Sequence, residues 1–363
     1  MKKFVNEVDS MLRESLSGLV EAHPQLLRVE FEPTFVARRE GAANKVALIS
    51  GGGSGHEPLH AGFVGRGMLD AACPGQVFTS PTPDQMLAAA AAVDTGRGVL
   101  FIVKNYAGDG MNFQMAAEML ETGNATVLVN DDVAVENSTH TTGRRGVAGT
   151  LVVEKMVGAL AEQGATLAEC KALGDRVNAA TASMGVAFTS CTVPAAGRAT
   201  FDIGPDEIEI GVGIHGEPGR RRAAHMPADE IVRTLLDAIL ADLKPARGRE
   251  LLLHVNGFGG TPLMELYLLH HAAGRRLKAE GLAPVRSLVG SYTTSLEMAG
   301  ASLTVTLLDD ELLALWDAPV HTARCAGRRR STARARASRF AECRTGAASK
   351  SSRPARRWCR RTP

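Results

Sequence analysis

A histidine placed directly after a run of glycines is a titratable ring set where backbone amides can close on a small ligand. His56 stands so in Val46-Ala-Leu-Ile-Ser-Gly-Gly-Gly-Ser-Gly-His56-Glu-Pro. His215 lies in Gly211-Val-Gly-Ile-His215-Gly-Glu-Pro-Gly, where the flanking glycines free the backbone to aim the ring. Asp109 ends a third stretch, Val99-Leu-Phe-Ile-Val-Lys104-Asn-Tyr-Ala-Gly-Asp109. All three polar tips follow apolar runs with the character of strands, and together they suggest one site. A neutral imidazole in such a site can serve as a base or as a nucleophile toward a carbonyl.

Each tip also has a plainer reading. Asp109 between a strand and a helix is as consistent with an N-cap as with catalysis, and Asp131 and Asp132 after the next strand are ambiguous in the same way. His215 could be an ordinary turn residue, but Gly55-His56-Glu57-Pro58 and His215-Gly216-Glu217-Pro218 parallel one another too closely for that reading to be preferred. The letters His56-Glu-Pro-Leu-His60 fit the zinc-protease pattern, whose chemistry needs both rings on one continuous helix, where Pro58 is tolerated only in the first turn. His60 is then better read as a packing or supporting histidine, and no metal site is expected. The P-loop's Gly-Lys-Ser/Thr is missing, and His56 occupies the place of the third glycine of the dinucleotide fingerprint. A small ligand held by loop amides is therefore expected in preference to a nucleotide.

Positioning such tips calls for strands alternating with helices. Strands are expected at 46–50, 99–104, 125–130, 185–189, 208–212, 250–255, 285–289 and 303–308. Helices are expected at 6–22, 83–93, 112–122, 149–162, 166–181, 228–243 and 263–280. This alternation implies an α/β fold of two domains, residues 1–184 with the glycine loop and 185–323 with His215, built on layered, largely parallel sheets.

The tail from residue 324 onward has another composition. Of the 41 Lys and Arg residues, fourteen follow Ala323, opposed only by Glu342; residues 1–323 thus carry 27 basic and 38 acidic side chains, a net of −11. An acidic body argues against nucleic acid as a partner. The tail is expected to be disordered, and its abrupt break resembles out-of-frame translation. Acidic residues come too early in Met1-Lys-Lys-Phe-Val-Asn-Glu for a signal peptide, and no apolar run approaches the ~20 residues of a membrane span. The three body cysteines, Cys73, Cys170 and Cys191, lack metal-ligand spacing, and a cytoplasmic location is expected.

Together, Ser50-Gly-Gly-Gly-Ser-Gly-His-Glu-Pro, Lys104-Asn-Tyr-Ala-Gly-Asp, Gly143-Arg-Arg-Gly-Val-Ala-Gly and the His215 segment resemble the dihydroxyacetone kinase family over nearly all of residues 1–323. Phe78-Thr-Ser-Pro-Thr-Pro-Asp84, Thr192-Val-Pro-Ala-Ala-Gly197 and Leu315-Trp-Asp-Ala-Pro-Val-His-Thr322 narrow the resemblance to the substrate-binding subunit of phosphoenolpyruvate-dependent enzymes. The resemblance implies a homodimer whose His215 captures dihydroxyacetone as a covalent hemiaminal. It implies an acid–base pair of His56 and Asp109, with Gly53, Ser54, Gly55 and Lys104 holding the substrate. It also implies a partner: a helical subunit carrying ADP and Mg²⁺, recharged by a phosphocarrier protein, with no cofactor on this chain. A fragment of an ATP-dependent kinase and a non-catalytic dihydroxyacetone sensor are the alternatives. Two features depart from the pattern: the chain continues past Thr322 into the basic tail, and Gly257 stands where a second asparagine is expected.

Overall fold

The computed structural model describes residues 2–135 and 143–325. The chain opens with α1 (Met11–Ala22), a hairpin of β1 (Leu27–Phe31) and β2 (Thr34–Arg38), then β3 (Ala47–Ser54), the short β4 (Gly65–Arg66) and β5 (Ala71–Val77). Next come α2 (Pro83–Val93), β6 (Val99–Lys104), α3 (Ala107–Met119), β7 (Asn124–Val129), α4 (Gly149–Glu162) and α5 (Leu167–Ala179). The second half holds β8 (Thr181–Ala187), β9 (Glu207–Ile210), β10 (Arg221–Ala224), α6 (Ala228–Leu243), β11 (Glu250–Gly257), α7 (Leu263–Ala279), β12 (Ala283–Gly290) and β13 (Gly300–Leu307). It ends with α8 (Asp310–Asp317) and β14 (His321–Thr322).

Two six-stranded sheets carry these elements, ordered β1-β2-β5-β3-β6-β7 and β10-β9-β8-β13-β11-β12. The fold is α/β in layers, as the alternation implies, but the expected parallel pairing holds only in part. In the first sheet β5-β3, β3-β6 and β6-β7 are parallel: the segment with β4 returns the chain from β3 to β5, α2 carries it from β5 to β6 and α3 from β6 to β7. In the second sheet only β11-β12 is parallel, joined through α7. β8, β9 and β10 follow one another with no helix between them, and β13 runs antiparallel to both of its neighbours.

The hairpin β1–β2 and the strand β5 went unread in the sequence, since neither is a long apolar run. The expected boundary near residue 184 falls inside β8, the strand that begins the second sheet. α1 begins at Met11, five residues later than its apolar pattern suggests, and β3 extends four residues beyond Ser50 into the glycines.

The first sheet is packed on both faces. α2 and α3 cover one with Met86, Ala89, Ala90, Phe113 and Ala116. On the other, Val152, Met156, Val157 and Leu173 of α4 and α5 pack together with Leu312 and Leu315 of α8. Such double coverage is why β3 and β6 are uniformly buried and read as continuous apolar runs. The end of the chain thus comes back to the first layer, where β14 also pairs with β4. Arg324 donates its backbone N–H to Gly62 O (3.2 Å), and Cys325 O accepts from Thr322 N (2.8 Å), so the first two residues of the expected tail are tied to that layer. The expectation of disorder for the rest of the tail lies outside the described residues. Replacing Leu312, buried to 1% exposure, with Ala should destabilise the chain by about 2–5 kcal/mol, measured by denaturant unfolding.

Candidate active site

The glycine run is not a loop hung off β3 but its C-terminal half: Gly51, Gly52 and Gly53 remain in the sheet, paired in parallel with Cys73, Pro74 and Gly75. Neighbouring groups come close enough to exclude side chains. A Cβ on Gly53 would lie 2.6 Å from Thr79 N, and one on Gly52 would lie 2.2 Å from the Lys104 ammonium. Ser54, expected at the ligand, donates its hydroxyl to Gly75 O (2.7 Å) and so pins the end of the strand.

His56 follows at once and is buried. Its Nδ1 lies 2.8 Å from Thr294 O; a carbonyl can only accept, so Nδ1 carries the proton and Nε2 keeps its lone pair. That Nε2 is buried with no hydrogen-bond partner among the described residues. Burial, then the nearby His215 and Lys104, hold the ring's pKa well below 6.5, so the imidazole is neutral.

His215 presents the same arrangement from the second sheet. Its ring lies 4.6 Å from His56, edge to face. Its Nδ1 is 2.9 Å from Glu217 Oε1, and its backbone N–H donates to Glu217 Oε2 (3.0 Å). Burial opposes ionisation of Glu217, yet attraction and hydrogen bonding from His215 and the nearby Arg145 prevail and bring its pKa down to about 2. An ionised carboxylate only accepts, so it takes the Nδ1–H of His215, and Nε2 is the ring nitrogen that this pairing leaves for other chemistry. Glu57 likewise reaches back to Gly55 N (3.0 Å), which gives the two Gly/His-Glu-Pro sequences a shared physical basis. Arg145, the largest fully buried side chain among the described residues, is fixed by Asp132 (2.7 Å) and Gly211 O (2.8 Å).

Asp109 lies in the first turn of α3, whose N-cap is Tyr106, so it is not the capping residue. It is buried, with Oδ2 3.6 Å from Lys104 Nζ, and Lys104 also donates to Gly51 O (3.2 Å). Asp131, by contrast, receives Val147 N and Gly149 N and fixes the start of α4. Residues 56–60 form turns ahead of a 3-10 turn at Ala61–Phe63, so His56 and His60 do not share the helix that the zinc-protease pattern requires.

Three contributors escaped the sequence reading. Phe78 stacks on His56 at 5.0 Å and meets His215 at 5.1 Å, with a left-handed φ of 55°. Tyr106 meets the His215 ring edge-on at 4.5 Å. The third, Thr294, belongs to a loop gripped by Asn256, whose Oδ1 accepts from Tyr292 N and Thr293 N and whose Nδ2 donates to Thr293 O. Asn256 is the side chain whose amide holds the start of this loop; a side chain at Gly257 would press on Leu266 and Ser291. A lone aromatic or threonine in a loop carries no spacing signal, although Phe78 opens one of the segments that carry the family resemblance.

The Glu217 interaction predicts a pH dependence. Its lowered pKa means stability that is complete above the ordinary value of 4.5 and is lost as pH falls toward about 2, worth about 3 kcal/mol. Glu217→Gln should therefore flatten the loss of unfolding free energy between about pH 5 and pH 3, measured by denaturant titration; an unchanged slope would contradict the pairing.

Known proteins resemble this chain along most of its length. Residues 17–324 match the Dak1 domain. The dihydroxyacetone-binding subunit of a PTS-dependent dihydroxyacetone kinase from Listeria innocua is 50% identical over 314 residues, covering 86% of this chain and 95% of the relative. The corresponding subunit of the PEP-dependent kinase of Escherichia coli is 46% identical over 350 residues, covering 89% and 98%. Among solved structures, the dihydroxyacetone kinase of C. freundii gives a TM-score of 0.82 at 34% identity, over 98% of this chain but 64% of that one. A dihydroxyacetone kinase operon co-activator gives 0.82 at 33% identity, over 89% of this chain and 100% of its own. The chain belongs to the dihydroxyacetone kinase family, as a Dak1-domain protein of the kind that forms the dihydroxyacetone-binding subunit.

Proposed function

We propose that this chain captures dihydroxyacetone on His215 and presents it for phosphoryl transfer from a separate subunit. One observation carries the reading: two histidine rings stand edge to face at 4.6 Å, each with Nδ1 engaged by an acceptor, so that Nε2 is the nitrogen each ring has left for chemistry. Nε2 of His215 attacks the substrate's carbonyl carbon and the C–N bond forms as the carbonyl π pair moves to oxygen. Water protonates that oxygen, and the hydroxide so formed is neutralised by the ring's Nδ1 proton passed on through Glu217, which leaves a neutral hemiaminal and an ionised carboxylate. Glycerol, with no carbonyl, is excluded by this chemistry.

The captured molecule's terminal hydroxyl is then deprotonated by the His56–Asp109 pair as it attacks phosphorus. Gly53, Ser54, Gly55 and Lys104 hold the substrate, and the Ser54 hydroxyl also fixes the strand end from which they act. This chain's contribution is positioning and proton removal. The phosphoryl group comes from a helical subunit that carries ADP and Mg²⁺ and is recharged by a phosphocarrier protein. We further infer that the chain works as a homodimer in the cytoplasm; no helix among the described residues is long and apolar enough to cross a membrane.

The similarity to an operon co-activator over that protein's whole length supports a second reading, a dihydroxyacetone sensor. Turnover separates the two. Dihydroxyacetone phosphate should form when the chain is combined with the helical subunit, the phosphocarrier proteins and phosphoenolpyruvate, and not with Mg²⁺ and ATP alone. Product in the second mixture would favour an ATP-dependent kinase, and none in either would favour the sensor. His215→Ala should abolish covalent capture, and a crystal showing substrate bonded elsewhere would overturn that assignment. Asp109→Asn should retain binding but lower turnover by ~10²-fold or more. Unchanged turnover would reduce Asp109 to stabilising its helix.

A further inference from the structure

Behind the glycine strand lies a group of buried polar residues that the proposed chemistry leaves unused: Ser50, His60 and Glu154, all fully or almost fully buried. We propose that His60, fixed by Ser50 and Glu154, is a positioning residue that aims the Lys104 ammonium at the substrate site.

The ammonium of Lys104 has only protons to offer His60, and the other hydrogen bonds of the group are compatible with that direction. Ser50 Oγ donates its single proton to Ile102 O (2.6 Å), so toward His60 Nδ1 (3.0 Å) it can only accept. Nδ1 therefore carries a proton, which also faces Glu154 Oε1 (2.6 Å). Glu154 can accept there in either protonation state. The remaining nitrogen of the neutral ring, Nε2, then offers a lone pair 2.8 Å from Lys104 Nζ. A second Lys104 N–H goes to Gly51 O, which leaves the third for the side where Asp109 Oδ2 lies at 3.6 Å. A side chain at Gly52 would strike that ammonium, so Lys104 lies directly against the glycine strand.

Electrostatics agrees with this geometry. Burial first, then Lys104 and His56, keep His60 unprotonated, and burial raises Glu154 to about 8. Replacing such a cluster with packed apolar side chains commonly costs a fold nothing. What apolar residues could not supply is a fixed acceptor for one N–H of Lys104.

This inference rests on the function proposed above, and two measurements separate their fates. The first is the tautomer of His60 from ¹⁵N ring shifts in the unmodified chain, which requires no turnover. A protonated Nδ1 with bare Nε2 is expected; the opposite tautomer, or an imidazolium at neutral pH, overturns the relay. The second is steady-state kinetics of His60→Leu and His60→Gln with the complete phosphoryl-donor system. A hydrogen bond to a charged group is worth roughly 10–100-fold, so His60→Leu should lose that much in kcat/KM. His60→Gln, which can place an amide oxygen where Nε2 stood, should recover to within about fivefold. Equal losses in two variants of equal melting temperature would show that His60 only fills space. An unmodified chain without turnover would refute the function and leave the tautomer to decide the relay.

Discussion

Everything at the site depends on a clasp between the two sheets. Leu296 N donates to Gly55 O (2.9 Å), Thr294 N to His56 O (3.3 Å), and the Thr294 hydroxyl to Glu57 O (3.0 Å). A loop of the second sheet thus grips the strand end of the first through backbone groups. The same loop sets the tautomer of His56. The opposing histidine comes from another loop of the second sheet, so the 4.6 Å separation of the rings is no better defined than this clasp. Asn256 stiffens it by filling its own hydrogen-bonding capacity inside the loop.

Around the clasp, each sheet solves a different problem. The first brings its own backbone close to the ligand, which needs glycine where the Lys104 ammonium and the Phe78–Thr79 backbone crowd in. The second places Glu217 beside His215, and the charge that biases Glu217 toward its ionised form is Arg145, from the segment between β7 and α4, buried between Asp132 and Gly211 O. The aromatic rings of Phe78 and Tyr106 close the space between the two layers.

The legible parts of the sequence were those governed by local pattern. α2, β6, α4 and α6 fall where their apolar spacing places them. His56, Asp109 and His215 announced themselves through glycines or strand ends. The second sheet's pairing was not legible, because a strand's apolar content says how buried it is and nothing about the direction of its neighbour. Nor was the Thr294 carbonyl, since any residue supplies one. Glu217 stood in plain view beside His215, but its function depends on a turn that brings its carboxylate back onto the ring, and spacing alone does not encode that. Of the Ser50–His60–Glu154 group only His60 stood out, as a packing or supporting histidine; the three come from separate elements, and spacing does not show that they meet.

The return of α8 to the first layer has a consequence for how the protein is made. Leu308, Leu312 and Leu315 pack in the same core as Leu48 of β3 and Leu100 and Ile102 of β6. That core therefore stays open until more than three hundred residues have been synthesised. The early half of a nascent chain cannot settle into its final form while the later half is still in the ribosome, as successive independent domains do. Translation errors late in the message consequently strike the layer that is encoded first.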